Sequence, residues 1–136
     1  MTLRSATAAD LAAITQIQDA APEASQWDPA SYLDHVCTVA EEGGAVAGFF
    51  VYRETGAGEY EILNLAVHPA VRRLGVARKL LIHALEPGLG RWFLEVRASN
   101  IAAICLYESV GFRQAGTRPG YYRNPSEPAI VMQWDS

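Results

Sequence analysis

The stretch that most restricts how this chain can fold runs over residues 61–78, Glu-Ile-Leu-Asn-Leu-Ala-Val-His-Pro-Ala-Val-Arg-Arg-Leu-Gly-Val-Ala-Arg. An apolar run from Ile62 to Val67, broken only by Asn64, reads as a strand covered on both faces, and His68-Pro69 ends it. Arg72-Arg73-Leu74-Gly75-Val76-Ala77 then leads into a helical pattern. Val76, Ala77, Leu80, Leu81, Ala84 and Leu85 fall on one face of it, Arg78, Lys79 and His83 on the other. The first turn of such a helix leaves backbone N–H groups without partners at the positive end of the macrodipole, so the joint attracts an anion. Gly75 and Ala77 lack the bulk that would keep a diphosphate from those amides, and Arg72, Arg73, Arg78 and Lys79 add charge around them. Neither a Gly-Lys-Ser/Thr P-loop nor a G-x-G-x-x-G turn is present, which excludes the two standard nucleotide motifs. A solvated basic turn before an ordinary amphipathic helix is the alternative, and the flanking sequence has to separate the two.

A chain of 136 residues fits one domain, 1–136, with a full hydrophobic core. Half of the residues are apolar, yet no apolar stretch approaches the ~20 residues of a spanning helix, and Met1-Thr2-Leu3-Arg4-Ser5 opens no signal-peptide pattern. The expectation is a cytoplasmic protein with no membrane partner. Cys37 and Cys105 form no C-x-x-C pair and read as reduced core residues, and no metal site is expected. A net charge of -4 argues against a nucleic-acid binder, apart from the local basic patch at 72–79.

Before the central stretch, Leu3 to Ala6 suggest a short strand. Thr7-Ala8-Ala9-Asp10 has capping-box spacing for a helix that turns Leu11, Ile14 and Ile17 inward and stops before Pro22. Trp27-Asp28-Pro29 predicts a second short helix to about His35. Trp27 lies in the loop between them, where it either walls a substrate cleft or packs under the loop. Cys37 to Glu41 and Ala45 to Arg53 read as a hairpin about Glu42-Gly43-Gly44, and the chain returns through 55–58 into the strand before the basic turn.

After the helix, which Pro87-Gly88-Leu89-Gly90 must end near Leu85, residues 91–97 form another strand. Alternation puts Phe93, Glu95 and Arg97 on one face and Trp92, Leu94 and Val96 on the other. A carboxylate in the middle of an apolar strand costs free energy unless it is paired, solvated or kept for chemistry. Asn100 caps a helix over 101–110 closed by Gly111, and Asn100, Ala103 and Tyr107 share one face of it. Residues 118–128 read as a long polar-aromatic loop carrying Tyr121 and Tyr122, before a last strand over 129–134.

Arg72-x-x-Gly75-x-Ala77 resembles the pyrophosphate signature of the GNAT superfamily of acetyl-CoA-dependent N-acetyltransferases. Residues 94–112, Leu-Glu-Val-Arg-Ala-Ser-Asn-Ile-Ala-Ala-Ile-Cys-Leu-Tyr-Glu-Ser-Val-Gly-Phe, are similar to a more specific block of the RimI-type ribosomal-protein alanine N-acetyltransferases. The likeness covers 60–132 well and the N-terminal half only by pattern. It implies an α/β (α+β) fold with a mixed, mostly antiparallel sheet of six to seven strands and about four helices. It implies acetyl-CoA as acetyl donor and the α-amino group of a protein N-terminus, that of a ribosomal protein, as acceptor. Leu65, Ala66 and Val67 would meet the pantetheine arm. Arg72, Arg73, Leu74, Gly75, Val76, Ala77 and Arg78 would bind the pyrophosphate, with Asn100 and Ala103 also on the cofactor. Glu95 would be the general base and Tyr107 the general acid, while Trp27, Asn64, Tyr121 and Tyr122 would border the acceptor. Glu127-Pro128 departs from the pattern, placing proline where a second acidic residue is usual. A small amine as acceptor, or a CoA-sensing domain without turnover, are the competing expectations.

Overall fold

The computed structural model describes residues 1–72, 74–86, 88, 90–122 and 126–135. Its seven strands follow the order β1-β2-β3-β4-β5-β7-β6 in one mixed sheet. Two compact units are present, Met1–Arg53 with Leu63–Glu86 and Glu54–Ile62 with Pro87–Ser136, and strands β3 (Ala45–Gly56) and β4 (Glu59–Val67) contribute to both.

The first unit begins with β1 (Thr2–Ser5), antiparallel to β2 (Val36–Glu42), which in turn pairs antiparallel with β3. The capping-box residue Asp10 accepts the Thr7 N–H at 2.8 Å and closes a 3-10 turn, Ala8–Asp10, that runs into helix α1 (Leu11–Asp19). Asp10 is buried, and both of its oxygens accept from the Arg4 guanidinium at 2.8 Å. That pairing holds its carboxyl down at about 2. Ile14 and Ile17 are fully buried against Tyr32, Val39, Phe49 and Val51. Burying each of these isoleucines contributes about 2 kcal/mol. The expected second helix is a 3-10 helix, Pro29–Asp34, because Asp28 caps Ala30 N–H and the proline at its start tightens the turn. Gly48 allows a close approach in β3: a Cβ there would stand 3.0 Å from the Ala66 carbonyl and 3.1 Å from a Val76 methyl.

Helix α2 (Val76–Leu85) buries Val76, Leu80, Leu81 and Leu85 and exposes Arg78, Lys79 and His83, as the periodicity predicts. Strand β4 departs from its expected two-sided burial. Ile62, Asn64 and Ala66 are buried, whereas Leu63, Leu65 and Val67 are only half-buried.

In the second unit β5 (Arg91–Arg97) runs parallel to β4 along Glu59–Ile62, paired with Arg91–Leu94, and Tyr60 stacks on Trp92 at 4.7 Å. Trp92, Leu94 and Val96 are buried and Phe93, Glu95 and Arg97 half-buried, matching the predicted alternation. Helix α3 (Ile101–Ser109) follows, then β6 (Arg113–Tyr122) and β7 (Glu127–Asp135), with β7 antiparallel to both β5 and β6. Of the expected loop over 118–128, residues 123–125 lie outside the described residues and the rest is mostly strand. Its β6 part reaches Tyr122, and the register steps from Arg118↔Ala129 to Tyr122↔Glu127, extruding Pro119, Gly120 and Tyr121 opposite Pro128. The two prolines offer no N–H to a ladder, so the strand bulges there without losing a donor.

The sheet is therefore mostly antiparallel, with three α-helices and three 3-10 helices among the described residues. The cysteine expectation holds for Cys37, which is buried with its thiol pushed up to about 11 by burial, and fails for Cys105, which is exposed on α3. Cys105 falls on the outward side of a helix that is apolar nearly all round, so composition gave no indication of its face. No helix among the described residues is long and apolar enough to cross a membrane.

Candidate functional site

The donor-side candidates lie in the first unit. Gly75 forms the N-cap of α2 with φ +77° and ψ 17°, and no side chain caps the helix. An L-residue is strained in that left-handed region, while space around a Cβ is open to 4 Å. The first amides of α2 are thus left for an external acceptor, which suits a phosphate group. Val76 is buried, Ala77 half-buried, and Leu74 and Arg78 exposed. Arg73 lies outside the described residues. Arg72 turns toward the end of α1, donating to the Ala20 carbonyl at 3.3 Å with Glu23 at 3.8 Å.

Leu65, Ala66 and Val67 form the last turn of pleat in β4 before His68, whose N–H donates to the Ala47 carbonyl at 2.7 Å. Asn64 is buried beside them and fully engaged. Its Nδ2 donates to Ser25 O at 2.8 Å, Tyr32 Oη at 3.0 Å and Gln18 Oε1 at 3.2 Å, and its Oδ1 accepts the Leu65 N–H at 2.9 Å. Tyr32 in turn donates to Gln18 Oε1 at 2.5 Å, and Gln18 Nε2 donates to the Trp27 carbonyl at 2.6 Å. The loop backbone is therefore pinned while the Trp27 indole stays 53% exposed, so Trp27 does not pack under its loop. Sequence reasoning passed over Gln18 and Tyr32. The available signal was Gln18 itself, an amide on the apolar face set by Ile14, Ile17 and Ala21.

The acid–base candidates lie in the second unit. Glu95 Oε1 accepts from Arg118 Nη1 at 2.7 Å, and Oε2 is buried with no hydrogen-bond partner. A buried carboxylate oxygen left unpaired is costly, and it is the kind of acceptor that a substrate proton or a water satisfies. The Tyr122 hydroxyl donates to the Glu95 carbonyl at 3.1 Å, and its phenol is pushed up to about 12, first by burial and then by Tyr121 and Glu95. Tyr121 is 40% exposed on the bulge, edge-on to Tyr122 at 5.0 Å. Burial, then the Glu95 charge, raises its phenol as well, with a side-chain hydrogen bond to the Glu95 carboxylate as a smaller cause.

Tyr107 is buried on α3, edge-on to Phe112 at 5.5 Å. Burial raises its phenol well above the ordinary value, so it stays protonated at neutral pH. Its oxygen makes no hydrogen bond among the described residues. A protonated phenol with an unused hydrogen is equipped to donate to a leaving group. Asn100 caps α3, its Oδ1 accepting the Ala103 N–H at 3.2 Å, so Ala103 is drawn in by its backbone. Glu127 is committed elsewhere: it accepts from Arg97 at 3.0 Å and from the Ser99 hydroxyl and N–H at 3.0 and 3.1 Å. Arg97 also lies over the Tyr122 ring at 4.5 Å. Among the described residues no group of three His, Cys, Asp or Glu could hold a metal ion.

Comparison with known proteins places this geometry. The profile of the acetyltransferase (GNAT) family matches residues 7–112, a span that runs through both units. The N-alpha-acetyltransferase RimI of Mycobacterium tuberculosis is 35% identical over 120 residues, covering 81% of this chain and 76% of that protein. The uncharacterized protein ML0378 of Mycobacterium leprae is 44% identical over 88 residues, 64% of this chain but 24% of its own length. The crystal structure of the ribosomal-protein-S18-alanine N-acetyltransferase from Escherichia coli superposes with a TM-score of 0.83 at 32% identity, over 97% of this chain and 91% of that one. The structure of yncA from Salmonella typhimurium, a putative acetyltransferase with its cofactor acetyl-CoA, gives 0.82 at 27% identity over 99% and 93%.

Proposed function

Because the chain belongs to the acetyltransferase (GNAT) family, we propose that it transfers the acetyl group of acetyl-CoA to the α-amino group of a protein N-terminus, an alanine of a small-subunit ribosomal protein. The observation that carries the chemistry is the half-satisfied carboxylate of Glu95, with Oε1 held by Arg118 and Oε2 buried and unpartnered. The acceptor is the one named for the Escherichia coli relative. Residues 1–136 are read as one N-acetyltransferase domain acting in the cytoplasm, with neither nucleic acid nor membrane as partner.

When bound, acetyl-CoA supplies an activated thioester. The residues suited to hold it are the backbone of Leu65, Ala66 and Val67, the uncapped start of α2 at Gly75, Val76, Ala77 and Arg78, and Asn100 with Ala103 on α3. Arg72 and Arg73 add charge around the same turn. Glu95 takes the surplus proton of the acceptor nitrogen as the N–C bond forms, directly or through a water, and Tyr107 gives its proton to the sulfur as the C–S bond breaks. The Val67 N–H would be the donor to the charge that develops on the acyl oxygen. An α-amino group, with a pKa of about 7.7–8.0, is partly neutral at pH 7 and asks little of the base. Trp27, Tyr121 and Tyr122 border the acceptor, and Asn64 serves it by holding the Ser25 carbonyl and so the Trp27 loop.

Mass spectrometry of peptides with free N-termini, incubated with the full chain and acetyl-CoA, tests this. An acetylated N-terminal alanine is expected. Acetylation of free small amines with none on any N-terminal peptide would move the acceptor to the small-amine class, and binding of CoA without turnover would make the protein a sensor.

A further inference from the structure

Among the buried side-chain nitrogen and oxygen atoms of the described residues, Glu95 Oε2 is the one without a hydrogen-bond partner. Its twin, Oε1, sits 2.7 Å from the Arg118 guanidinium, which is 56% exposed and lies over the Tyr121 ring at 4.6 Å from the centroid. An aromatic face under a guanidinium holds the cation in place, and an arginine stays charged at any physiological pH. The other polar groups about the carboxylate, the phenols of Tyr121 and Tyr122, remain neutral at pH 7. Glu61, which Tyr121 also senses, is the further charge nearby. The two oxygens of one carboxylate are so close together that any donor reaching Oε2 comes within about 5 Å of the Arg118 charge. A neutral amine meets no penalty there. An ammonium group meets a carboxylate whose attraction the guanidinium has partly cancelled.

We propose that Arg118 determines acceptor specificity as a charge filter, weakening the pull of Glu95 on the protonated ε-amines of lysine side chains and so leaving the site to α-amino groups. The inference rests on Glu95 being the base proposed above. Lysine, with a pKa of about 10.4, arrives almost wholly protonated, whereas an α-amine at about 7.7–8.0 brings a neutral fraction a few hundred times larger. Without the guanidinium, Glu95 would be a bare carboxylate, and such a group attracts the cation it would have to deprotonate.

The test compares the wild-type full chain with R118Q, R118K and E95Q. The acceptors are an alanine-initiated peptide without lysine and an N-terminally blocked peptide containing lysine, with acetylation read by mass spectrometry. R118Q is expected to raise the ratio of ε- to α-acetylation by about tenfold through a lower KM for the lysine peptide, an effect that shrinks in high salt. R118K keeps the charge and holds the wild-type ratio. An R118Q ratio equal to wild type, with E95Q inactive, overturns the filter and leaves the function standing. E95Q transferring at the wild-type rate overturns Glu95 as base and the filter with it.

Discussion

Asn64 in the middle of β4 donates to the carbonyl of Ser25, 39 residues earlier, at 2.8 Å, while its own oxygen caps the N–H of Leu65. One amide thereby fixes the strand that precedes the basic turn and the loop that carries Trp27. Replacing Asn64 with alanine would orphan Ser25 O, the Leu65 N–H and part of the Gln18–Tyr32 pair at once. A loss of about 2–3 kcal/mol is expected in urea unfolding, together with a raised KM for the peptide. An unfolding midpoint equal to wild type would show that the network contributes little.

Gly75 has φ +77° and open space beside it, so a methyl group added there strains the backbone without a clash. Gly75→Ala should lower stability by about 1 kcal/mol. It should also raise KM for acetyl-CoA several-fold, leaving KM for the peptide near its wild-type value. A change confined to the peptide KM would remove the α2 N-terminus from the donor site.

Tyr107 separates chemistry from stability. Among the described residues its hydroxyl has no hydrogen bond to lose, so Tyr107→Phe should unfold within about 0.5 kcal/mol of wild type. If the phenol protonates the leaving sulfur, kcat falls about 10²-fold or more in the same variant. Full activity in Tyr107→Phe would assign the acid role to another group.

Asp10 makes stability depend on pH. Its folded value, about 2, lies below the ordinary 3.8 because Arg4 donates to both oxygens. A depressed carboxyl contributes stability that is fully present above pH 3.8 and is lost as pH falls through 2, here about 2 kcal/mol at most. Asp10→Asn should therefore be less stable than wild type at pH 6, with the gap closing between pH 4 and 2. A gap that stays constant over that range would mean that the pair adds nothing electrostatic.

Much of this was legible in the sequence because local rules and burial agreed. Capping boxes, the period of α2, the alternation of β5 and the stop at residues 87–90 each depend on neighbours within one or two turns of chain. Glu95 stood out because a carboxylate in the middle of a short strand of mostly apolar residues is costly unless it is paired or kept for chemistry. Arg118 did not, since nothing local marks one arginine in a proline-glycine-tyrosine stretch, and its meaning comes from Glu95, 23 residues away. The loop assigned to 118–128 was an error of the same kind. Prolines and glycine promised irregularity, but a ladder on both sides of a bulge preserves the strand. Glu127, singled out in the sequence only for the proline that follows it, is taken up by Arg97 and Ser99.

The bulge at Pro119, Gly120 and Tyr121 has a meaning for how such an enzyme can diverge. Those three residues stand outside the β6–β7 register, so no ladder hydrogen bond depends on their number, although Gly120 takes φ +62° and the Tyr121 ring lies under Arg118. They lie between Arg118, which touches Glu95 Oε1, and Tyr122, which touches the Glu95 carbonyl. Drift at Pro119 or in the length of this short segment can redraw the acceptor border while Tyr121 keeps Arg118 on Glu95, and a change of client need not begin with a change of chemistry.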